Sequence, residues 1–375
     1  PADVIGSDDL EWDPSANKVR PPGGKWREAG REPDTRYAHL LRVFRGKRAL
    51  DPHFPGAPTH IRRIFELERE VPERRMRELL VSVLSAPVAR RVGKLVQKEL
   101  GRPLEPFDLW YPGFRVKSAL DEQALDRITR RRYPDARAFR ADIPRLLRKL
   151  GFAPRLAAFI GERIEVEAAR GAGHAYGAKR RDDRAHLRTR IGPKGMSYKG
   201  YNIAIHELGH NVEQVISMSR IDHTLLEGVP NTGFTEAFAF LFQARDLELL
   251  GKARPRARDA EKRHTLERFW ATFEIAGVAL LDMDIWRWMY RNPDATPEQL
   301  RRAVVRLTRK LWNTYYAPVF GVKDQILPAI YSHIIAYGLY TPDYPLGKLI
   351  TFQIEQYLRG RRLGAEMDRM CKLGR

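Results

Sequence analysis

The stretch AIHELGHNVEQ, residues 204 to 214, constrains this chain more than any other. On an α-helix, two histidines four residues apart lie on one face. On such a helix His206 and His210 can offer two imidazoles to one metal ion. Glu207 then projects beside them, near enough to act on a water held there without itself binding the metal. With ten histidines in 375 residues, chance spells this pattern on the order of one or two per cent of the time. The motif is suggestive by itself, and a third ligand decides the matter.

Downstream stands LLEGVPNTGFTEAFAFLFQARDLELL, in which Gly228, Pro230, Asn231 and Gly233 mark a break. An apolar helix is expected to begin near Thr235, with Glu236 in its first turn. A carboxylate buried unpaired in such a run costs several kcal/mol. A cation shared with His206 and His210 removes that cost. The bland alternative is that Glu236 caps its own helix.

The length suits one large domain or two lobes, and an apolar share of 43% allows a sizeable core. No apolar run approaches a membrane span; the best, IAGVALLDMDIW, is short and carries two aspartates. The net charge of +20 raises the question of nucleic acid. The basic residues are nevertheless spread and often sit beside acids, as in FELEREVPERRMREL, which reads as solvated helix faces. No nucleic-acid motif accompanies them, so no specific nucleic-acid partner is expected, although the surface favours acidic partners or substrates. One cysteine, Cys371, excludes an intrachain disulfide and a cysteine-based zinc site. The chain starts at Pro1 and not Met, so something is expected to precede it, a signal peptide being one option, and cytoplasmic and exported locations stay open.

Residues 1–35 are rich in Pro, Gly and charge and are expected to form an irregular arm. From YAHLLRVF onward, apolar residues recur at three and four spacing. THIRRIFELERE, ERRMRELLVSVL, PVARRVGKLVQKEL, DEQALDRITRRRY, FRADIPRLLRKLG and PRLAAFIGERIEVEAAR all read as helices. Within 171–192, GAGHAYGA and the alternating AHLRTRI flank the turn signal RRDDR, which predicts a β-hairpin. Helical pattern resumes at 198 and runs, with breaks near 228–234 and 251–256, to the C-terminus. The expected fold is mostly α: two helical lobes flanking a substrate cleft, with a small antiparallel sheet beside the motif helix. The expected domain is 36–375, with a helical part over 36–170 and a catalytic part over 171–375.

HELGHNVEQ followed by LEGVPNTGFTEAFAF resembles the gluzincin zinc metallopeptidases, and more narrowly the clade of thimet oligopeptidase, oligoendopeptidase F and angiotensin-converting enzyme. The resemblance covers roughly residues 105 to 360. It implies one zinc ion on His206, His210 and Glu236, with Glu207 as general base. The clade's substrate-binding edge strand corresponds to GAGHAYGA, with His174 and Ala175 at its centre. Its C-terminal histidine and tyrosines correspond to His333, Tyr337, Tyr340 and Tyr344 in YSHIIAYGLYTPDYPLGKL. Of these, Tyr344 is the best match for the oxyanion donor, with Tyr340 second. The flanking Pro342 and Pro345 argue for a loop or a helix start there. The chain departs from the clade in length and at Phe240, which stands where the clade has an aspartate four residues after the third ligand. The partners of the zinc-binding histidines must therefore come from elsewhere, with Glu227 a candidate.

The implied reaction is peptide-bond hydrolysis by a zinc-activated water, with Glu207 moving the proton. The alternatives are a catalytically inactive peptide-binding protein of the same fold, a basic nucleic-acid-binding protein, and a zinc hydrolase of non-peptide amides. Oligomeric state is not legible in the sequence.

Overall fold

The structure is a computed structural model, described here over residues 10–13, 16–30, 33–114, 121–169, 173–252 and 260–375. It is 63% helix and 7% strand, the mostly-α class that the periodicity implies. The chain divides into two compact units, Pro1–Arg115 with Glu261–Pro345, and Val116–Ala260 with Leu346–Arg375.

The first unit opens with a small antiparallel sheet where an irregular arm was expected. Strands β1 (Glu11–Asp13), β2 (Lys18–Arg20) and β3 (Arg27–Glu28) pair in that order, with Trp12 opposite Val19 and Lys18 opposite Glu28. Strands of two or three residues are too short to show a period. Their cohesion is cross-strand charge, Arg20 with Glu11 and Lys18 with Glu28, around the buried Val19. Helices follow. Glu73–Leu84 and Val88–Leu100 have the extents that their apolar spacing predicts, and the second stops where Gly101 takes φ +67°. The core lies around the long helix Ala260–Arg291, where Phe273 meets Tyr316 edge-to-face at 5.1 Å and Trp286 meets Phe44 at 6.0 Å.

The second unit carries the motif. Helix Glu122–Arg132 starts at Asp121 and helix Ala136–Lys149 at Asp135; each aspartate accepts a hydrogen bond from a backbone N–H three residues on. Helix Pro154–Glu162 is shorter than expected. The remainder of that segment, Ile164–Ala169, is strand β4. Its own alternation explains the difference: Ile164 and Val166 are buried while Glu165 and Glu167 lie outward and meet basic partners, among them Arg184 and Arg188. The three-four spacing of the preceding helix masks this period-two signal.

Strands β5 (His174–Tyr176) and β6 (Ala185–Arg190) form the expected antiparallel pair, with Ala175 opposite Leu187. β4 adds to the far side of β6 in parallel, giving the order β4-β6-β5 with β5 at the edge. Of the segment expected to form the edge strand, residues 171 and 172 lie outside the described residues, as does most of the break near 251–256.

The sheet packs on the motif helix, Tyr198–Arg220. Ser197 starts this helix by accepting from the Gly200 N–H at 3.1 Å. Tyr201 on its first turns stacks on Tyr133 at 5.6 Å with the rings nearly parallel. The helix Thr232–Gln243 packs on its other side and begins three residues earlier than the sequence suggests, after Asn231. Glu236 consequently lies beyond the first turn and does not cap this helix.

The two helices meet at Gly209. A Cβ there would lie 2.6 Å from Ala239 Cα and 2.9 Å from the Phe238 carbonyl oxygen, both backbone atoms that cannot step aside. Glycine in a helix ordinarily costs about 1 kcal/mol relative to alanine. Gly46, exposed on helix Thr35–Arg48 with nothing near its missing Cβ, is an internal control. Thermal unfolding should show Gly46→Ala unchanged or slightly stabilised. Gly209→Ala should melt several degrees lower, since overpacking costs about 1–3 kcal/mol. Equal or higher stability of Gly209→Ala would contradict the close helix seam.

Candidate metal centre

Helical phase turns His206 and His210 to one side of the motif helix, their rings 5.0 Å apart. The packed helix brings Glu236 against both. His206 Nε2 lies 3.7 Å from Glu236 Oε2, and His210 Nε2 lies 3.8 Å from Glu236 Oε1. The three donor atoms fall within 4.8 Å of one another. Tetrahedral zinc with bonds of about 2.0–2.1 Å sets its ligand atoms roughly 3.4 Å apart, so the set needs only a small contraction to hold such an ion. The donor chemistry agrees: two imidazoles and one carboxylate, all hard-to-borderline ligands with low combined charge.

The site is largely closed to solvent, with the side chains of His206, His210 and Glu236 exposed by 16%, 12% and 3%. Burial lowers both histidines to about 4, and for His206 the neighbouring His210 adds to the effect. Both imidazoles are therefore neutral at pH 7, with a lone pair available to a metal. Two glycines give the carboxylate and the strand their positions. Gly347 lies against the Cβ of Glu236, where a Cβ of its own would come within 2.6 Å. Gly173 approaches Ile203 and Glu207 so closely that any side chain would collide with Ile203.

Glu207 sits beside the three donors without joining them. Burial first, and the Glu236 charge second, push its carboxyl up to about 8, while a hydrogen bond from the backbone of Ala175 acts the other way. A dication among His206, His210 and Glu236 would also favour the ionised form. Ala175 and His174 lie on the edge strand, so the strand and the motif helix meet at Glu207.

Phe240 packs its ring 5.3 Å from that of His206, and Lys348 Nζ lies 4.2 Å from the centroid of the same Phe240 ring. The polar partner of His206 is Gln243, with Oε1 3.2 Å from Nδ1. Glu227 instead lends its charge to the surroundings of Glu213, farther along the motif helix. Sequence reasoning missed Gln243 and also Asn202, which holds it. Spacing gives a partial signal, Asn202 four residues before His206 and Gln243 seven after Glu236, each on the same helix face, but that the two meet depends on helix packing.

His333, Tyr337, Tyr340 and Tyr344 belong to the first unit and form one aromatic cluster. The His333 ring lies 6.2 Å from Tyr337 and 5.6 Å from Tyr344, and Tyr340 lies 5.4 Å from Tyr344. Tyr337 is exposed. Tyr344 is in the first turn of helix Asp343–Tyr357, the helix start that its flanking prolines imply. The segment is held from below by buried charge. Arg69 donates to both Asp343 carboxylate oxygens, at 2.7 and 2.8 Å, and to the Leu339 carbonyl at 2.6 Å. Asp282 accepts from the Leu339 N–H and the Thr341 hydroxyl, each at 2.8 Å. Leu339 takes φ +66° under this clamp.

No family model and no curated protein matches the sequence. Among solved structures, a 3.1 Å crystal structure of a candidate oligoendopeptidase F is similar with a TM-score of 0.60 and 15% identity, covering 91% of this chain and 59% of that one. Another, described as the structure of CHT, has a TM-score of 0.38 and 14% identity, covering 91% of this chain and 71% of that one. The first likeness is one of fold, and this chain spans less than two thirds of that protein. Among the described residues, no helix is long and apolar enough to cross a membrane.

If His206, His210 and Glu236 hold a metal, purified protein should carry one zinc per chain by elemental analysis. His206→Ala, prepared alongside, should carry little or none. Equal zinc in the two would remove these residues as the ligands.

Proposed function

We propose that the chain is a zinc-dependent hydrolase of peptide bonds in peptides or oligopeptides. The observation that carries this reading is the convergence of His206, His210 and Glu236 with Glu207 beside them in a closed site. The oligoendopeptidase-like fold supports peptides as the substrate class. When bound, zinc supplies the Lewis acidity that makes water a nucleophile at neutral pH.

Glu207 accepts the proton of the attacking water on its carboxylate and delivers it to the leaving amine. Its placement suits this role, since it touches neither histidine's metal-facing nitrogen and is fixed by its helix one residue from a ligand. Strand β5 is at the sheet edge, where an extended peptide can pair through main-chain hydrogen bonds without its side chains being read. His174 and Ala175 are the residues that would line it. Low-polarity walls such as Phe240 exclude water and strengthen every charge interaction inside. By the resemblance of TPDYPLGKL alone, Tyr344 is the donor to the developing oxyanion, and the Arg69 and Asp282 clamp gives its segment the stiffness such a donor needs. The +20 net charge favours acidic peptides among the substrates.

Two substitutions test the roles on a fluorogenic peptide. Glu207→Gln should keep its zinc and lose about 100- to 10,000-fold in turnover. Loss of the metal, or near-full turnover, would show that Glu207 is not the base. An inactive peptide-binding protein of this fold would retain peptides without cutting them.

Tyr344→Phe should lower kcat by roughly a hundredfold or more, with KM and zinc content near wild type. Normal turnover in Tyr344→Phe beside a crippled Tyr340→Phe or Tyr337→Phe would move the donor one turn earlier.

A further inference from the structure

Asp246 lies buried just beyond the Glu236 helix, and three groups donate to its carboxylate. Oδ1 accepts the Leu247 N–H at 2.6 Å, and Oδ2 accepts the Tyr198 hydroxyl at 2.6 Å and the Asn202 amide Nδ2 at 2.7 Å. A carboxylate can only accept in such a set, so it dictates which way the Asn202 amide faces. With Nδ2 committed to Asp246, Asn202 turns Oδ1 toward Gln243, where it accepts from Nε2 at 2.8 Å. Gln243 in turn must present Oε1, an acceptor, to His206 Nδ1 at 3.2 Å. An acceptor there requires a proton on Nδ1. In a neutral imidazole this leaves Nε2 bare, and Nε2 is the nitrogen 3.7 Å from the Glu236 carboxylate.

We propose that Gln243 is a positioning residue for His206, and that the relay Asp246–Asn202–Gln243 fixes its Nδ1–H tautomer and ring angle before any metal arrives. This inference rests on the zinc reading above and deepens it. Orienting contacts to metal-binding imidazoles commonly come directly from a carboxylate or a backbone carbonyl. Here Phe240 occupies the near position, and the negative charge is set back behind two neutral amides. The arrangement keeps the directional information of a carboxylate while adding no formal charge next to the ligand. Adjacent negative charge raises imidazole basicity, so its removal to a distance leaves a bound ion more electron-poor. Helix phase makes the relay possible: Asn202 and His206 are one turn apart on the motif helix, and Gln243 is two turns from Glu236 on its partner. The two helices that supply the ligands thus also supply the orienting groups.

The test reads the imidazole directly. Long-range proton–nitrogen correlation spectra of the zinc-free protein, labelled on histidine, should show His206 as the Nδ1–H tautomer. In Gln243→Met, which keeps the side chain's length and removes the acceptor, the His206 signal should shift toward the other tautomer. Competition with a chromophoric chelator should give a zinc affinity about tenfold or more weaker for this variant. His206 found with Nδ1 bare in the wild type would overturn the relay, as would unchanged zinc affinity in a folded Gln243→Met. Should that variant not fold, the wild-type tautomer alone decides. The tautomer is read without metal or substrate, so a failure of the relay is distinct from a failure of the peptidase reading, which would appear as absent zinc-dependent cleavage.

Discussion

The contact between the motif helix and the helix Thr232–Gln243 is the constraint on which the second unit's chemistry depends. Glu236 is almost wholly buried in an apolar run, and a carboxylate in that environment is costly unless charge or hydrogen bonds meet it. Only a very close helix seam can bring it within reach of two imidazoles. Gly209 provides that seam by having no side chain, and Gly347 provides the room for Glu236 from the other side. The same closeness desolvates the histidines, keeps them neutral, and brings Gln243 to His206. The geometry of the three groups and the protonation and orientation of the imidazoles therefore share one cause.

Much of the fold was legible because it is written locally. The helices Glu73–Leu84 and Val88–Leu100 repeat their apolar residues at helical spacing, and the motif helix follows from the helical pattern that resumes at 198. The β5–β6 pair was legible from alternation about a turn signal. What escaped was structure specified by partners distant in the chain or by very few residues. The short alternation of β4 is masked by the helix before it until β6 pairs with it, and β1 to β3 are too short to carry a pattern. The start of the Glu236 helix at Thr232 was hidden by Asn231 just before it and Gly233 in its first turn, residues that more often mark breaks.

The site divides along the same line. His206, Glu207 and His210 are legible because one helix fixes them, and Glu236 because a buried acid calls for a cation. Gln243 and Asn202 interact across 41 residues of sequence, and Asn202 and Asp246 across 44, so their meeting is a property of helix packing. The tyrosines are a further case. Their cluster is local, within 333–344, but its support by Arg69 and Asp282 depends on pairs more than 50 residues apart. The positive charge, by contrast, is absorbed in part by ion pairs along helix faces such as Arg74 with Glu78 and Arg302 with Glu298, as the interspersed acids suggested.

The most direct test of zinc-dependent peptide hydrolysis is cleavage of a mixed peptide library, read by mass spectrometry. Wild-type protein should cut internal or terminal peptide bonds, lose that activity in a strong chelator, and regain it on addition of about one equivalent of zinc. Cleavage that persists in the chelator, or an intact library in the presence of zinc-loaded protein, would contradict the account.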